Sequence, residues 1–255
     1  MPREDLIQLW MAEGFLQSPK ETSMSLEDIG DEFFNDLLSY SLFQEEEIDQ
    51  NGSITSCKMH DLIHDFAKSI SKSETVILKT LLSRTNISNF KHLNFICDQQ
   101  IVPTTLGDLT QLHTLFSEHG FPCGMLGNFK RLWVLSFSYA VDAKELPPCF
   151  SYMRYLNISG TQIKELPRFV TKLYNLQTVR FMDSRSLKLP AQGIENLINL
   201  RHIYFYYEEN MPTNIGRLTC LQTLQLFFVG ATKGRKIEEL GCLSKLRGSL
   251  EIRNL

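Results

Sequence analysis

The sequence predicts an α/β protein in which a small, mainly α domain precedes a solenoid of short parallel strands. Two observations lead to this prediction. An apolar pattern recurs every 20 to 26 residues from Phe90 to the end of the chain. Residues 1–76 lack that period and instead carry helical patterns and an opposite charge balance. We therefore predict two domains, 1–76 and 77–255, with residues 77–89 as a connection and opening cap.

The repeating segment has apolar residues at its first, fourth and sixth positions, except that Ser117 takes the sixth position of the second copy and that the last of the eight copies is looser. Successive fourth-position residues are 22, 20, 21, 23, 24, 21 and 26 residues apart. This core-x-x-core-x-core pattern at this period is the signature of leucine-rich repeats. One repeat cannot bury its apolar face alone, so we expect about eight stacked repeats in a curved solenoid, without a C-terminal cap. The fourth-position residues are Leu93, Leu115, Leu135, Leu156, Val179, Ile203, Leu224 and Leu250.

Composition limits the class of protein. With 43% apolar and 22% charged residues, the chain has an ordinary globular composition. It contains neither a run of 18 apolar residues nor the apolar core of a signal peptide. Six cysteines occur without Cys-x-x-Cys spacing. These features predict a cytoplasmic protein with reduced thiols and no membrane span.

Two helices are predicted at the start of the chain. The first covers residues 4–13. The second follows Ser25, which is placed to cap it together with Asp28 three residues later. Apolar residues of the second helix then recur at steps of three and four, which predicts that Phe33 lies in the core.

A hairpin and a third helix follow. Residues 41–44 and 53–57 are predicted as short strands, joined through an Asn-Gly turn. An amphipathic pattern then runs from Leu62 to Ile70. The order helix, helix, hairpin, helix is that of a winged-helix-like domain.

The charge of the two halves argues against nucleic acid as a partner. Residues 1–76 hold 16 acidic and 5 basic side chains, whereas the remainder holds 13 acidic and 21 basic ones. The helix after Ser25, the candidate recognition helix, carries five carboxylates and no Lys or Arg. DNA phosphates would repel it. The opposite net charges could instead let the two domains attract each other.

Three segments resemble the winged-helix part of plant nucleotide-binding leucine-rich-repeat disease resistance proteins of the coiled-coil class. They are residues 6–15 (LIQLWMAEGF), 30–39 (GDEFFNDLLS) and 58–67 (KMHDLIHDFA). Met59, His60 and Asp61 match the Met-His-Asp motif of that family. The resemblance implies that His60 faces bound ADP in the inactive receptor and that Asp61 supports this arrangement.

The resemblance also limits what this chain is expected to bind. Full-length members of the family bind ADP or ATP through a Gly-x-x-x-x-Gly-Lys-Ser/Thr loop, whose backbone N–H groups hold the phosphates. These 255 residues contain no such loop. We therefore expect no cofactor in this chain, and the nucleotide-binding domain of a receptor becomes an expected partner.

The positions between the core residues are predicted to line the concave face of the solenoid. Aromatic and arginine side chains are enriched at binding hot spots, and several occur here in four successive repeats. We expect them to bind a protein, which the family resemblance specifies as a pathogen effector or a guarded host protein. The candidate residues are Trp133, Arg154, Tyr155, Arg180, Arg201 and Tyr204.

The sequence thus predicts a non-enzymatic protein of plant defence, namely the recognition and autoinhibition segment of an intracellular immune receptor. One alternative is a leucine-rich-repeat adaptor, or a truncated receptor relative without function. Another is a metal-dependent hydrolase built on the His-Asp pairs at 60–61 and 64–65, but a metal site needs further ligands. No catalytic residue and no metal ligand is therefore predicted.

Overall fold

The computed structural model describes residues 1–17, 24–50, 52–78, 90–96, 110–117, 123–137, 146 and 150–254. These residues divide into two compact units, Met1–Glu74 and Thr75–Leu255. The predicted boundary after residue 76 falls inside a strand of the second unit, so the division lies two residues earlier than expected. The rest of the predicted connection, from residue 79 to 89, lies outside the described residues.

The first unit contains three helices and one hairpin. Helix α1 is followed by α2, and strands β1 and β2 pair antiparallel before α3 begins. This is the predicted order of elements. The bounds are α1 Arg3–Glu13, α2 Leu26–Ser39, β1 Phe43–Ile48, β2 Ile54–Met59 and α3 Asp61–Ile70.

Helix α2 starts at its predicted cap, but the face that it buries differs from the predicted one. The Ser25 hydroxyl accepts a hydrogen bond from the Asp28 N–H at 3.2 Å, and the Ser25 N–H donates to the Asp28 carboxylate at 3.0 Å. The predicted capping box is therefore confirmed. Phe33, however, is 47% exposed, while Phe34 is fully buried, so the prediction for Phe33 was wrong. The helix turns Ile29, Gly30 and Phe34 inward because Gly30 lets α1 approach closely.

The second unit contains an eight-stranded parallel sheet in which each strand lies beside its neighbours in the sequence. This confirms the prediction of stacked parallel strands. The bounds are β3 Thr75–Leu78, β4 His92–Phe95, β5 Thr114–Ser117, β6 Val134–Phe137, β7 Tyr155–Asn157, β8 Thr178–Arg180, β9 His202–Tyr204 and β10 Thr223–Leu224. Strand β3 was not predicted, because its short apolar run lies outside the detected period.

Seven of the eight predicted fourth-position residues form one continuous row across this sheet, and the eighth, Leu250, lies outside it. Each pairs with the corresponding residue of the adjoining strand, from Leu93 in β4 to Leu224 in β10. All of these side chains are buried in one hydrophobic core. Short 3₁₀ segments form the second layer of the coils and include Arg168–Lys172, Ile194–Asn196 and Ile215–Arg217.

The last strands form a separate ladder. Strand β11 (Leu226–Phe228) pairs in parallel with β12 (Glu251–Arg253). Residue Gln225 separates β10 from β11, so the predicted strand is divided there. No helix within the described ranges is long and apolar enough to cross a membrane.

Candidate functional site

The Met-His-Asp segment joins β2 to α3. Met59 ends β2 and pairs with Phe43 of β1, while Asp61 is the first residue of α3. His60 is the N-cap of α3, where its ring Nδ1 accepts a hydrogen bond from the Leu62 N–H at 3.3 Å. The exposed Asp61 places its negative charge at the positive end of the helix, which stabilises the helix.

This capping bond decides which ring nitrogen of His60 can contact another group. In a neutral imidazole one nitrogen accepts and the other carries the proton. Because Nδ1 accepts from Leu62, the proton lies on Nε2. His60 therefore presents Nε2–H as a hydrogen-bond donor.

The pairs of His and Asp around α3 do not assemble into a larger cluster. The Nδ1 atom of His64 and the Oδ1 atom of Asp65 are 3.6 Å apart, and both side chains are exposed. Within the part of the chain that the structure describes, no three His, Cys, Asp or Glu side chains come together as metal ligands would.

The outer sheet face is the surface of the main sheet that excludes the core row, and it corresponds to the predicted concave face. It has three rows of residues, of which two run from β4 to β10 and the third from β4 to β9. The leading row, one residue before each strand, is Lys91, His113, Trp133, Arg154, Gln177, Arg201 and Gln222. The second row is His92, Thr114, Val134, Tyr155, Thr178, His202 and Thr223. The third row is Asn94, Phe116, Ser136, Asn157, Arg180 and Tyr204.

The leading row is held by its own backbone. From His113 through to Gln222, the N–H of each residue in the row donates to the carbonyl of the row residue in the preceding coil, at 2.7 to 2.8 Å. Neighbouring strands lie about 4.8 Å apart, so side chains in this row are close enough to stack. The His113 and Trp133 rings do so, with centroids 4.1 Å apart and planes 17° apart. The Arg154 guanidinium lies over the Trp133 ring at 4.9 Å, which extends the stack to a third coil.

The third row contains a second arginine–aromatic contact. The Arg180 guanidinium lies 4.1 Å from the centre of the Tyr204 ring on the neighbouring strand. In the same row, the Asn157 side chain donates to the Ser136 hydroxyl at 3.2 Å. Each contact joins adjacent coils, so the side chains of the outer face are ordered by one another.

Two of the six predicted binding residues are not at the surface. Tyr155 is 3% exposed and Tyr204 is 1% exposed. Their placement on the outer face is right, but their expected exposure was wrong. Neighbouring strands are so close that a large ring is covered by the side chains of the adjoining coils, as Arg180 covers Tyr204. The other four predicted residues, Trp133, Arg154, Arg180 and Arg201, are half-buried.

Sequence reasoning missed several residues of the outer face. Lys91 begins the leading row, and most of the second row was not predicted to be there. A usable signal existed, because the residue before each core position must point to the opposite side of the sheet. The missed second-row residues are Thr114, Val134, Thr178, His202 and Thr223.

The outer face carries cations along its rows. Its three rows contain the cations Lys91, Arg154, Arg180 and Arg201, and no Asp or Glu. The 3₁₀ segments of the second layer contain both acidic and basic residues. Arg168 lies in one of these segments, and Glu195 lies in the segment of the next coil. The charged residues of the three rows are thus all basic, whereas the 3₁₀ segments mix both signs.

Comparison with known proteins agrees with both units. Residues 1–67 match the family described as disease resistance protein winged helix domain, and residues 126–253 match a leucine-rich repeat region. Disease resistance protein RGA2 of Solanum bulbocastanum is 35% identical over all of this chain. Disease resistance protein RGA5 of Oryza sativa subsp. japonica is 28% identical over 97% of it. The chain spans 24% and 23% of the length of these two relatives.

A solved structure supports the fold of the repeats. The functional domain of InlJ from Listeria monocytogenes superposes with a TM-score of 0.50 at 12% identity, over 69% of this chain and 42% of that one. The likeness concerns the fold alone. Together, the two matched domains in their order and the relatives along the whole chain show that it belongs to the plant disease resistance proteins, of which it contains the winged-helix domain and a leucine-rich repeat region.

Proposed function

We propose that this chain is the recognition and autoinhibition segment of a cytoplasmic plant immune receptor. Its outer sheet face binds a protein, either a pathogen effector or a guarded host protein. The observation that carries the proposal is the ordered stack of His113, Trp133 and Arg154 beside Arg180 and Arg201, in successive coils. Such a surface has the composition of a binding hot spot.

The order of this surface supports binding. Side chains that are already held in place lose little conformational entropy when a partner docks. The stacks that hold Arg154 and Arg180 supply this order without a ligand. Binding would then act as a population shift, because a partner that prefers the open receptor releases the inactive arrangement.

The Met-His-Asp segment supplies the second part of the proposal. His60 presents Nε2–H and could donate to a nucleotide that another domain holds, since no phosphate-binding loop occurs in these residues. ADP or ATP is therefore expected only in a receptor that contains the nucleotide-binding domain. Asp61 would keep its position at the start of α3 and support His60.

A binding screen tests the recognition part. The purified chain is assayed against a panel of secreted effectors from pathogens of the source plant and against host proteins that those effectors modify. The test variant is Arg154→Glu, Arg180→Glu, Arg201→Glu. The matched control is Arg168→Glu, Lys172→Glu, Arg217→Glu, whose three exposed cations lie in the 3₁₀ layer.

The expected result is a partner that binds the wild type and the control but not the test variant. Equal loss on both triple variants would mean that net charge acts without a defined surface, and no loss on either would place binding elsewhere. A partner unrelated to infection would favour the adaptor alternative. Circular dichroism of each variant separates lost binding from lost folding.

A further inference from the structure

We propose that α3 docks through an exposed apolar stripe onto an amphipathic helix that carries Lys or Arg beside its own apolar face. That helix lies in a part of the receptor that these residues do not include. The inference rests on the proposed function, which makes this chain one segment of a receptor, and it adds a second interaction surface. The α3 stripe consists of Leu62, Phe66 and Ile70.

The α3 stripe is exposed along its whole length. Leu62, Phe66 and Ile70 are 74%, 62% and 66% exposed, and their spacing of four residues places them on one side of the helix. Ile63 and Ala67, on the adjoining side, are half-buried. Single exposed apolar residues are ordinary at a surface, but a continuous row of large ones is typical of an interaction site.

Helix α3 has little to stabilise it within the described chain. It is 10 residues long, and none of them is buried. Isolated helices shorter than about 12–15 residues are marginal in water, and most helices in proteins are stabilised by packing of an amphipathic face. The face of α3 that is best suited to such packing is the stripe. A partner that covers the stripe would therefore also stabilise the helix.

A second apolar stripe, on α2, ends next to the place where the α3 stripe begins. Phe33 and Tyr40 are exposed and seven residues apart, which places them on one side of α2. The His60 N–H donates to the Leu42 carbonyl at 3.2 Å, so the end of α2 lies beside the start of α3. Both stripes therefore adjoin the Met-His-Asp segment.

The charged residues that border the two stripes are acidic. Successive residues of a helix are about 100° apart, so Asp65 lies beside the α3 stripe, whereas Lys68 lies on the opposite side. Glu32 and Asp36 lie beside the α2 stripe, and all three carboxylates are exposed. A partner with Lys or Arg next to its apolar face would match this border, whereas a partner with carboxylates there would be repelled.

Charge and chain length together indicate where the partner helix comes from. Residues 1–76 hold 16 acidic and 5 basic side chains, so two copies of this unit would repel each other. The chain spans 24% and 23% of the length of the two relatives described above, and a receptor of that length has most of its residues elsewhere. A receptor domain that brings a nucleotide to His60 would also lie next to the α3 stripe, because His60 caps this helix. We therefore assign the partner helix to the rest of the receptor.

The first experiment uses a synthetic probe. It is a fluorescein-labelled amphipathic peptide of about 18 residues, or five helical turns, with Leu at helical spacing and Lys beside the Leu face. The same peptide with Glu in place of Lys is the control. We expect the Lys peptide to bind at least about tenfold more tightly. The variant Glu32→Gln, Asp36→Asn, Asp65→Asn should reduce this preference to about threefold or less, and an unchanged preference would overturn the role of the acidic border.

Two further variants test the stripe itself. Leu62→Gln, Phe66→Gln should weaken binding of the Lys peptide by about tenfold or more, because two apolar side chains that the peptide would cover are lost. The matched control Tyr174→Gln, Ile198→Gln changes two similarly exposed apolar residues of the repeats and should bind within about twofold of the wild type. No loss in the stripe variant, or equal losses in both, would overturn the α3 stripe as the site. Circular dichroism checks that each variant folds.

The source of the partner helix is tested with an array of overlapping peptides, each about 20 residues long, from the part of the Solanum bulbocastanum relative that this chain does not span. We expect the wild type to bind a peptide with an apolar helical face bordered by Lys or Arg, and Leu62→Gln, Phe66→Gln to lose it. Failure to bind any such peptide would overturn the receptor as the source. A dimer detected by light scattering and abolished by the same variant would replace the partner helix by a second copy of the chain and overturn the proposal.

The outcome can be separated from the fate of the proposed function. A partner found in the effector screen, together with peptide binding that does not depend on the α3 stripe, would leave the proposed function in place and reject this inference. Conversely, stripe-dependent binding of a receptor peptide without any partner linked to infection would leave the inference in place and reject the recognition role.

Discussion

The stack of Arg154 on Trp133 predicts a measurable coupling between two residues of adjacent coils. The perturbation is a double-mutant cycle with Trp133→Leu and Arg154→Met. Leu keeps apolar bulk and removes the ring, while Met keeps the aliphatic stem and removes the guanidinium. The cycle therefore isolates the contact between the cation and the ring, whose centres are 4.9 Å apart.

The magnitude follows from geometry and exposure. The distance lies within the range of about 6 Å for a cation–π contact, and both side chains are half-buried, so the contact is worth about 0.5–1 kcal/mol. Trp133→Leu also loses the His113 stack, worth about 0.5–1.5 kcal/mol, so it should cost about 1–2.5 kcal/mol in total. Arg154→Met alone should cost about 0.5–1 kcal/mol. The double variant should cost about as much as Trp133→Leu alone, because the shared contact is lost only once.

The assay is urea unfolding of the four proteins, followed by far-ultraviolet circular dichroism, since Trp133 is itself a fluorophore. We expect a coupling free energy of about 0.5–1 kcal/mol at unchanged denaturant slope. If the losses of unfolding free energy in the two single variants add up to the loss in the double variant within about 0.3 kcal/mol, the two side chains do not interact in solution. That result would also remove the preorganised arginine on which the proposed binding surface depends.

Two further predictions concern the first unit. Gly30→Ala should destabilise the first unit by about 1–2 kcal/mol, because the added Cβ would lie within 3.2 Å of Ile7 side-chain atoms. This crowding outweighs the gain in helix propensity. The control is Gly241→Ala, whose Cβ would have no atom within 4 Å, and thermal unfolding compares the two variants. Burial raises the pKa of the Cys57 thiol, so folding stability should fall as pH rises above the ordinary thiol pKa, where only the unfolded chain ionises readily. At neutral pH, iodoacetamide should modify the exposed Cys242 well before Cys57, and equal rates would contradict the assigned burial.

Local chemistry and periodicity could be predicted from the sequence. The Ser25–Asp28 capping box depends on residues three apart, and it forms as expected. The core row from Leu93 to Leu224 follows from the strict alternation of side chains in a strand, together with the repeat period. The sequence places His60 between the hairpin and the third helix, as the structure does, although the use of its Nδ1 as the helix cap was not predicted.

Features that depend on contacts between distant residues could not be predicted. Phe33 and Phe34 are both apolar neighbours in α2, and only the packing of α1 against Gly30 decides which of them is buried. Strand β3 has no periodic signal and is recognised by its pairing with β4.

The sequence by itself determined that the strands from β4 to β10 stack in parallel, and which of their residues lie in the core, because a recurring apolar pattern and side-chain alternation leave one solution. Only the tertiary structure decided what the outer sheet face presents. Strands about 4.8 Å apart bring His113, Trp133 and Arg154 into one stack, and they bury Tyr204 beneath Arg180. Residues that the sequence places 20 to 26 positions apart thus become direct neighbours, and their exposure is set by those neighbours rather than by their own polarity.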